Sequence, residues 1–167
     1  MSLLFTHAYY LSDDLKEQRI MKPYPPLGLL YVSAYLKSKN IANEVFDSTF
    51  SFQEKQLNFI FEKQPTIIFI YTNLMTKVEV VKLLKLLKTK KFNFPKIVLG
   101  GPDVTYNIEN YLQAGADFLV IGEGEETTFE LYQTFINEKD YHKVDGIAFL
   151  ENGKKLPICK NIKSFMG

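Results

Sequence analysis

The residues best suited to contact a ligand lie in three short segments, each directly after an apolar run. The first segment supplies two hydroxyls and an amide, the second two glycines, a proline and a hydroxyl, and the third two glycines around a carboxylate. The candidate binding residues are Thr72, Asn73 and Thr76, then Gly100, Gly101, Pro102 and Thr105, then Gly122, Glu123 and Gly124. Because glycine leaves the neighbouring backbone uncovered, these segments suit a ligand that lies against the main chain.

Each segment also has a plainer interpretation. Gly100-Gly101 is compatible with a tight turn that binds nothing. One hydroxyl of the pair Thr72 and Thr76 can cap the next helix, which leaves the other for a ligand. The third segment begins like a dinucleotide fingerprint, but the third glycine is missing and carboxylates stand where a pyrophosphate would lie. A neutral, amide-rich ligand suits that segment better than a phosphate.

No residue pattern indicates catalysis or a metal site. The two histidines, His7 and His142, lie far apart and have no Cys or His at ligand spacing. Cys159 is the only cysteine, has no base signature beside it, and cannot form an internal disulfide or a cysteine-rich cluster. A phosphoreceiver is also excluded, since it needs an aspartate where the third predicted strand ends in Tyr71-Thr72. We therefore expect a binding module.

The elements that position these segments alternate along the chain. Apolar patterning predicts strands at 3–7, 43–47, 66–71, 96–99 and 117–121, and helices at 27–39, 52–63, 78–91, 107–114 and 125–137. This order predicts an α/β fold, a flavodoxin-like (Rossmann-type) doubly wound five-stranded parallel sheet with strand order 2-1-3-4-5. A strand at 146–150 and an Asn152-Gly153 turn predict a short C-terminal β-hairpin on its edge. Ligands of such sheets bind beyond the carboxyl ends of the strands, where the three segments lie.

Composition narrows the class of protein and its partners. The chain has 167 residues, of which 46% are hydrophobic and 23% charged, and its formal net charge is +1. These values are typical of a globular domain, and the charge balance provides no surface to neutralise phosphates, so we expect no nucleic-acid partner. The apolar run at 66–71 is too short for a membrane span and the N-terminus lacks the basic start of a signal peptide. We expect no membrane partner and a reducing, cytoplasmic location.

Longer stretches around the three segments resemble one family. They are Pro-Pro-Leu-Gly-Leu-Leu-Tyr at 25–31, Val-Leu-Gly-Gly-Pro-Asp-Val-Thr at 98–105 and Asp-Phe-Leu-Val-Ile-Gly-Glu-Gly-Glu at 117–125, with Val-Asp-Gly-Ile-Ala-Phe at 144–149 behind them. In this order they are similar to the N-terminal cobalamin-binding domain of cobalamin-dependent radical S-adenosylmethionine enzymes, from about residue 3 to about residue 156.

The resemblance implies a ligand and an arrangement for it. A corrin ring would lie across the strand ends, with its nucleotide tail threaded into the domain. The resemblance assigns Thr72 and Thr76 to a hydroxyl pair after the third strand, with Asn73 between them. It assigns Gly100, Gly101, Pro102 and Thr105 to the turn that lines the tail, and Gly122, Glu123 and Gly124 to the turn after the fifth strand.

The chain departs from related families in two ways. In cobalamin domains of the methionine-synthase type, the histidine that ligates cobalt lies in an Asp-x-His-x-x-Gly motif. Around His7 of this chain, Phe5 and Tyr10 stand in place of the Asp and the Gly. We therefore expect base-off cobalamin without a histidine ligand. The Cys-x-x-x-Cys-x-x-Cys motif of the iron–sulfur cluster is absent, so we expect residues 1–157 to form the cobalamin domain and 158–167 to form a linker toward a missing radical domain. That domain would hold a 4Fe-4S cluster and S-adenosylmethionine for methyl transfer or ring-forming chemistry, and this chain alone would have no turnover.

An alternative from another class stays open. In this alternative the domain has kept the fold and lost the ligand, and it serves as a cofactor-free scaffold or docking domain. The bulky residues Tyr9, Tyr10 and Tyr71 favour it because they are able to fill the groove. A stand-alone methyltransferase or reductase has no residues here to carry its chemistry.

Overall fold

The strands form one twisted sheet at the centre of the molecule. The computed structural model describes residues 2–89, 95–151 and 154–155. The strands are β1 (Leu3–His7), β2 (Glu44–Phe46), β3 (Ile67–Tyr71), β4 (Lys96–Gly100), β5 (Phe118–Val120), β6 (Ile147–Glu151) and β7 (Lys154–Lys155), in the order β2-β1-β3-β4-β5-β6-β7. The first five run parallel, in the predicted order, while β6 pairs antiparallel with β5 and β7 pairs antiparallel with β6. The predicted fold class is confirmed.

The described residues form six α-helices, and all but the first of them cover the two faces of this sheet. The six are α1 (Leu15–Ile20), α2 (Leu27–Ser38), α3 (Gln53–Lys63), α4 (Lys77–Thr89), α5 (Ile108–Ala114) and α6 (Gly124–Ile136). Side chains of α3, α4 and α5 pack on one face, against Leu4, Ile68 and Leu99 of the strands. Those of α2 and α6 pack on the other face, against Phe5 and Phe69. Both faces are therefore buried, which explains the continuous apolar runs of β1 and β3.

Helix α1 is an element that the apolar pattern did not predict. None of its residues is buried, so it has no apolar stripe for the pattern to show. Its start is fixed locally instead, because the Asp14 side chain accepts hydrogen bonds from the backbone amides of Lys16 and Glu17. The predicted turn at Asn152-Gly153, the end of the 78–91 helix beyond residue 89, and the 158–167 linker lie outside the described residues.

Over residues 2–89, 95–151 and 154–155, no helix combines the length and the apolar character that crossing a membrane requires.

Candidate functional site

A cleft of about 360 Å³ opens at the carboxyl edge of the sheet, between α2 and α6. Parallel strands end at the same edge, so the segments after β3, β4 and β5 meet there. The floor of the cleft is apolar and consists of buried side chains from four neighbouring strands, Phe5, Phe69, Val98 and Val120. The phenyl rings of Phe5 and Phe69 stack with their centroids 4.7 Å apart. This floor is suited to a flat apolar group.

Glycines keep the mouth of this cleft open. Gly100 ends β4, and a Cβ placed on it would lie 3.8 Å from the Cβ of Val120, an ordinary contact. At Gly122 a Cβ would meet nothing within 4 Å. Six of the predicted binding residues line the cleft: Gly100, Gly101, Pro102, Thr105, Gly122 and Gly124. The structure thus brings together two of the three predicted segments.

The hydroxyl of Thr72 points into the protein rather than into either large cleft of this edge. Thr72 is fully buried, and its Oγ1 lies 2.9 Å from the hydroxyl of Tyr111, which in turn donates to the Asp103 carboxylate at 2.7 Å. Asn107 Nδ2 donates to the same carboxylate at 3.0 Å. This buried network ties the end of β3 to the loop that follows β4. Thr72 therefore positions the glycine segment in this structure.

Asn73 and Thr76 form the cap of helix α4. The side-chain oxygen of Asn73 accepts from the backbone amide of Thr76 at 3.0 Å, and the Thr76 hydroxyl accepts from the backbone amide of Asn73 at 3.0 Å. This reciprocal pair is a capping box. Both hydroxyls of the predicted pair Thr72 and Thr76 are thus engaged within the protein. The third segment's Glu123 precedes α6, is exposed, and lies outside the lining of both clefts described here.

A second cleft, of about 390 Å³, adjoins the first at the ends of β1 and β3. Asn73 and Thr76 line it, and the two clefts share Gly28 and Tyr71. The Tyr71 ring lies against Gly28 so closely that a Cβ there would stand 2.9 Å from Cε2 of the ring. Tyr71 is therefore the partition between the two clefts.

Tyr9 and Tyr10, the other two tyrosines that could fill the groove, lie in different parts of the structure. Tyr10 is buried in the core of the opposite sheet face and donates to Gln56 Oε1 at 2.5 Å, and burial raises the pKa of its phenol. Tyr9 lines the second cleft. Of the three, only Tyr9 and Tyr71 border the clefts.

His7 stands at the end of β1, on the wall of the second cleft, with 3% of its surface exposed. The backbone amide of Tyr9 donates to its Nδ1 at 3.2 Å, and its Nε2 lies 2.8 Å from Asp47 Oδ1 and 3.3 Å from the backbone amide of Ser48. Burial lowers the pKa of His7, and the Asp47 carboxylate only partly offsets this. Burial thus favours the neutral imidazole, and both of its nitrogens have partners within the protein.

Sequence reasoning missed Thr128. This residue of α6 lines the first cleft, and only 3% of its surface is exposed. A single threonine within an apolar helix face carries no local signal of a site. Gly28 could have been predicted as a site residue from the sequence, because it lies inside the Pro-Pro-Leu-Gly stretch that carries the family resemblance. Among the described residues, no group of three or more His, Cys, Asp or Glu side chains is placed to hold a metal ion.

Comparison with known proteins places this architecture in a family. The model of the B12 binding domain family matches residues 19–131. The structure of the cobalamin-dependent S-adenosylmethionine radical enzyme OxsB with aqua-cobalamin bound is 18% identical, with a TM-score of 0.79 over 98% of this chain and 23% of OxsB. The radical S-adenosylmethionine methyltransferase TsrM from Kitasatospora setae, solved with cobalamin and a [4Fe-4S] cluster, is 17% identical, with a TM-score of 0.67 over 94% of this chain and 31% of TsrM.

A curated relative is similar over a shorter stretch. The anaerobic magnesium-protoporphyrin IX monomethyl ester cyclase of Synechocystis is 46% identical over 55 residues, which are 32% of this chain and 11% of the cyclase. The matched region thus spans between about a tenth and a third of the length of these three proteins. The family match covers more than half of the chain and includes every residue that lines the first cleft except Phe5. The chain belongs to the B12 binding domain family.

Proposed function

We propose that this domain binds cobalamin across the carboxyl edge of the sheet and serves a larger radical S-adenosylmethionine enzyme. The observation that carries the proposal is the glycine-rimmed cleft between α2 and α6, whose lining residues lie within the family match except for Phe5. The corrin ring would rest over the ends of β1 and β3, and the nucleotide tail would enter the cleft.

The residues of the cleft fit such a tail. Its volume of about 360 Å³ lies within the range of roughly 300–1,000 Å³ of small-molecule sites. Side chains at Gly100 and Gly122 would project into the mouth, where no atom lies within 3.4 Å of either Cβ, so the glycines leave room that a ligand fills. Glu125 lines the cleft at the first turn of α6, and a carboxylate there would repel an anion, so the phosphate of the tail would lie toward solvent.

The state of His7 supports binding without a histidine ligand to cobalt. Its two nitrogens are held by the Tyr9 amide and the Asp47 carboxylate, and the side chain is almost fully buried. Ligation through either nitrogen would require that nitrogen to give up its present partner. We infer base-off cobalamin whose lower face meets no histidine of this domain.

Cobalamin would supply a cobalt centre that carries a methyl group or steers a radical, in methyl transfer or ring-forming chemistry. The residues of this chain hold and orient the ligand, exclude water from its tail, and contribute no acid or base. A partner domain in cis, with a 4Fe-4S cluster and S-adenosylmethionine, would generate the radical. The cofactors named for OxsB and TsrM are the support for this step.

The test is retention of the ligand. The chain is mixed with aquacobalamin, desalted, and its visible spectrum is recorded. We expect about one corrin per chain, with the absorbance shift of the base-off form. After reduction to cobalt(II), electron paramagnetic resonance should show no nitrogen splitting, and His7→Gln should leave that spectrum unchanged. A spectrum with histidine nitrogen splitting would contradict the base-off assignment.

A cofactor-free scaffold is the second candidate, and the position of Tyr71 favours it. The ring occupies the passage between the two clefts and leaves each below 400 Å³. If it stays there, a ligand as large as cobalamin cannot span both. Colour that washes through during desalting would establish this second function.

A further inference from the structure

Thr128 carries a hydroxyl that the protein itself does not use. The residue lies in the second turn of α6, lines the cleft, and has 3% of its surface exposed. Its hydroxyl makes no hydrogen bond to any other residue in the part of the chain that the structure describes. Its oxygen is open to the cleft, because the fully buried polar side-chain atoms without a partner among the described residues are Ser51 Oγ and Gln53 Nε2. Valine would fill the same space without offering a hydrogen-bonding group.

A threonine inside a helix usually satisfies its hydroxyl on the preceding turn. Thr134 of the same helix does this, since its Oγ1 donates to the Glu130 carbonyl at 2.8 Å. Thr128 makes no such bond. The Thr128 hydroxyl is thus available to a group that enters the cleft.

The other walls of the cleft define the shape of that group. The floor under Thr128 is formed by Phe5, Phe69, Val98 and Val120, and Leu29 of α2 is buried on the facing wall. Such a slot takes a flat aromatic ring and offers few polar contacts to its edge. Of the polar side chains that line the cleft, Thr128 is buried, whereas Thr105 is exposed and Tyr71 and Glu125 are half-buried. The Thr128 hydroxyl is therefore the one placed to meet a polar atom on the edge of an inserted ring.

Resting on the proposed function, we infer that Thr128 donates a hydrogen bond to the uncoordinated ring nitrogen of the nucleotide base. In base-off cobalamin the benzimidazole is attached through one nitrogen and its other nitrogen is a free acceptor. The domain thus discriminates among cobamides by their lower base: it favours nitrogen heterocycles over phenolic bases, which have no such acceptor. Thr128 is the residue that determines this specificity.

The experiment measures dissociation constants for aquacobalamin, p-cresolyl cobamide and cobinamide, which has no base, in the wild type and in Thr128→Val. Free cobalamin must first release its own base, so only the effect of the substitution on each ligand is compared. We expect Thr128→Val to weaken aquacobalamin binding by about fivefold, the size of one neutral hydrogen bond, and to leave p-cresolyl cobamide and cobinamide unchanged. Thr128→Ser should retain the wild-type pattern.

Thr134→Val is the matched control, because it removes a hydroxyl of α6 that is already satisfied within the helix. Should Thr128→Val not fold, Thr128→Ala is the second variant, and its loss should likewise be larger for aquacobalamin than for p-cresolyl cobamide. Equal weakening of these two ligands, or no weakening of either, would overturn the inference. Failure of the wild type to retain any corrinoid, cobinamide included, would instead overturn the proposed function.

Discussion

Gly101 lies directly on the backbone of Thr72. A Cβ on Gly101 would stand 2.1 Å from the Thr72 carbonyl oxygen, and the backbone of Gly101 has a φ of 125° that side-chain-bearing residues rarely adopt. The amide of Thr72 donates to the Gly100 carbonyl at 2.8 Å, so the ends of β3 and β4 are locked together. This glycine is required by the fold itself, whatever the cleft binds.

Replacing Gly101 should therefore damage stability. We expect Gly101→Ala to lower the free energy of unfolding by more than about 2 kcal/mol, because the strained φ alone costs about 1–2 kcal/mol and the clash with Thr72 adds to it. Gly122→Ala is the control: its φ is also positive, at 86°, but nothing lies within 4 Å of its Cβ. Urea unfolding measures both, and an equal loss in the two variants would contradict the role of the Thr72 contact.

The hydroxyl of Tyr111 should stabilise the same region. Tyr111 is fully buried, burial raises the pKa of its phenol, and its hydroxyl bridges Thr72 and the buried Asp103. Tyr111→Phe leaves these groups without that partner, so we expect a loss of about 1–3 kcal/mol in the free energy of unfolding. Tyr106→Phe should change little, since Tyr106 is 86% exposed. A neutral Tyr111→Phe would show that the network does not hold the loop.

His7 should make the domain less stable in acid. Burial lowers its pKa below 6.5, so below about pH 6.5 the unfolded chain takes up a proton that the folded chain resists. Stability should be complete above this pH and decline as pH falls toward the folded pKa. We expect His7→Gln to flatten the decline in urea midpoints between pH 7 and pH 5. An unchanged slope would mean that His7 does not titrate as a buried neutral group.

His142 should act with the opposite sign. Its hydrogen bond to Asp140 raises its pKa above 6.5, with desolvation opposing this and Glu151, at 3.3 Å, adding to it. Its contribution is present below about pH 6.5 and is lost as pH rises through the folded pKa. Because the side chain is exposed, solvent screening keeps the effect small. His142→Gln should thus steepen the acid decline slightly, and the same pH series, repeated at high salt, measures it.

The sheet was predictable because its information is local. The apolar runs of β1, β3 and β4 and the helical spacing of α4 depend on burial of one face or both, which the sequence displays directly. Helix α1 was not predicted because none of its residues is buried, and it is held by local bonds, namely the Asp14 cap and the Gln18 side chain, which donates to the Leu11 carbonyl at 3.0 Å. The pairing of β6 with β5 depends on a contact between distant segments, and the sequence indicated only a hairpin at the edge.

The location of the site at the carboxyl edge of the sheet was predictable from the sequence. The side chains that face the cleft were predictable only in part. Glycines such as Gly100 and Gly122 are visible because their residue type is itself the signal. The internal hydrogen bonds of Thr72 and the free hydroxyl of Thr128 depend on which way each side chain turns. The orientation of these two side chains is set by the packing of α5 and α6 on the sheet. The amino-acid sequence does not show that packing.

The most direct test of the central claim compares aquacobalamin retention after desalting in the wild type, Gly100→Leu and Ala34→Leu. Gly100 has an ordinary φ and only a loose contact at its Cβ, so leucine there should fill the cleft with the fold intact. Ala34 is exposed on α2 and gains the same side chain outside the cleft. With urea midpoints confirming that all three fold, we predict about one corrin per chain for the wild type and Ala34→Leu, and a loss of at least tenfold in affinity for Gly100→Leu. Equal retention in all three would contradict the assignment of the cleft, and no retention in any would show that the domain does not bind cobalamin.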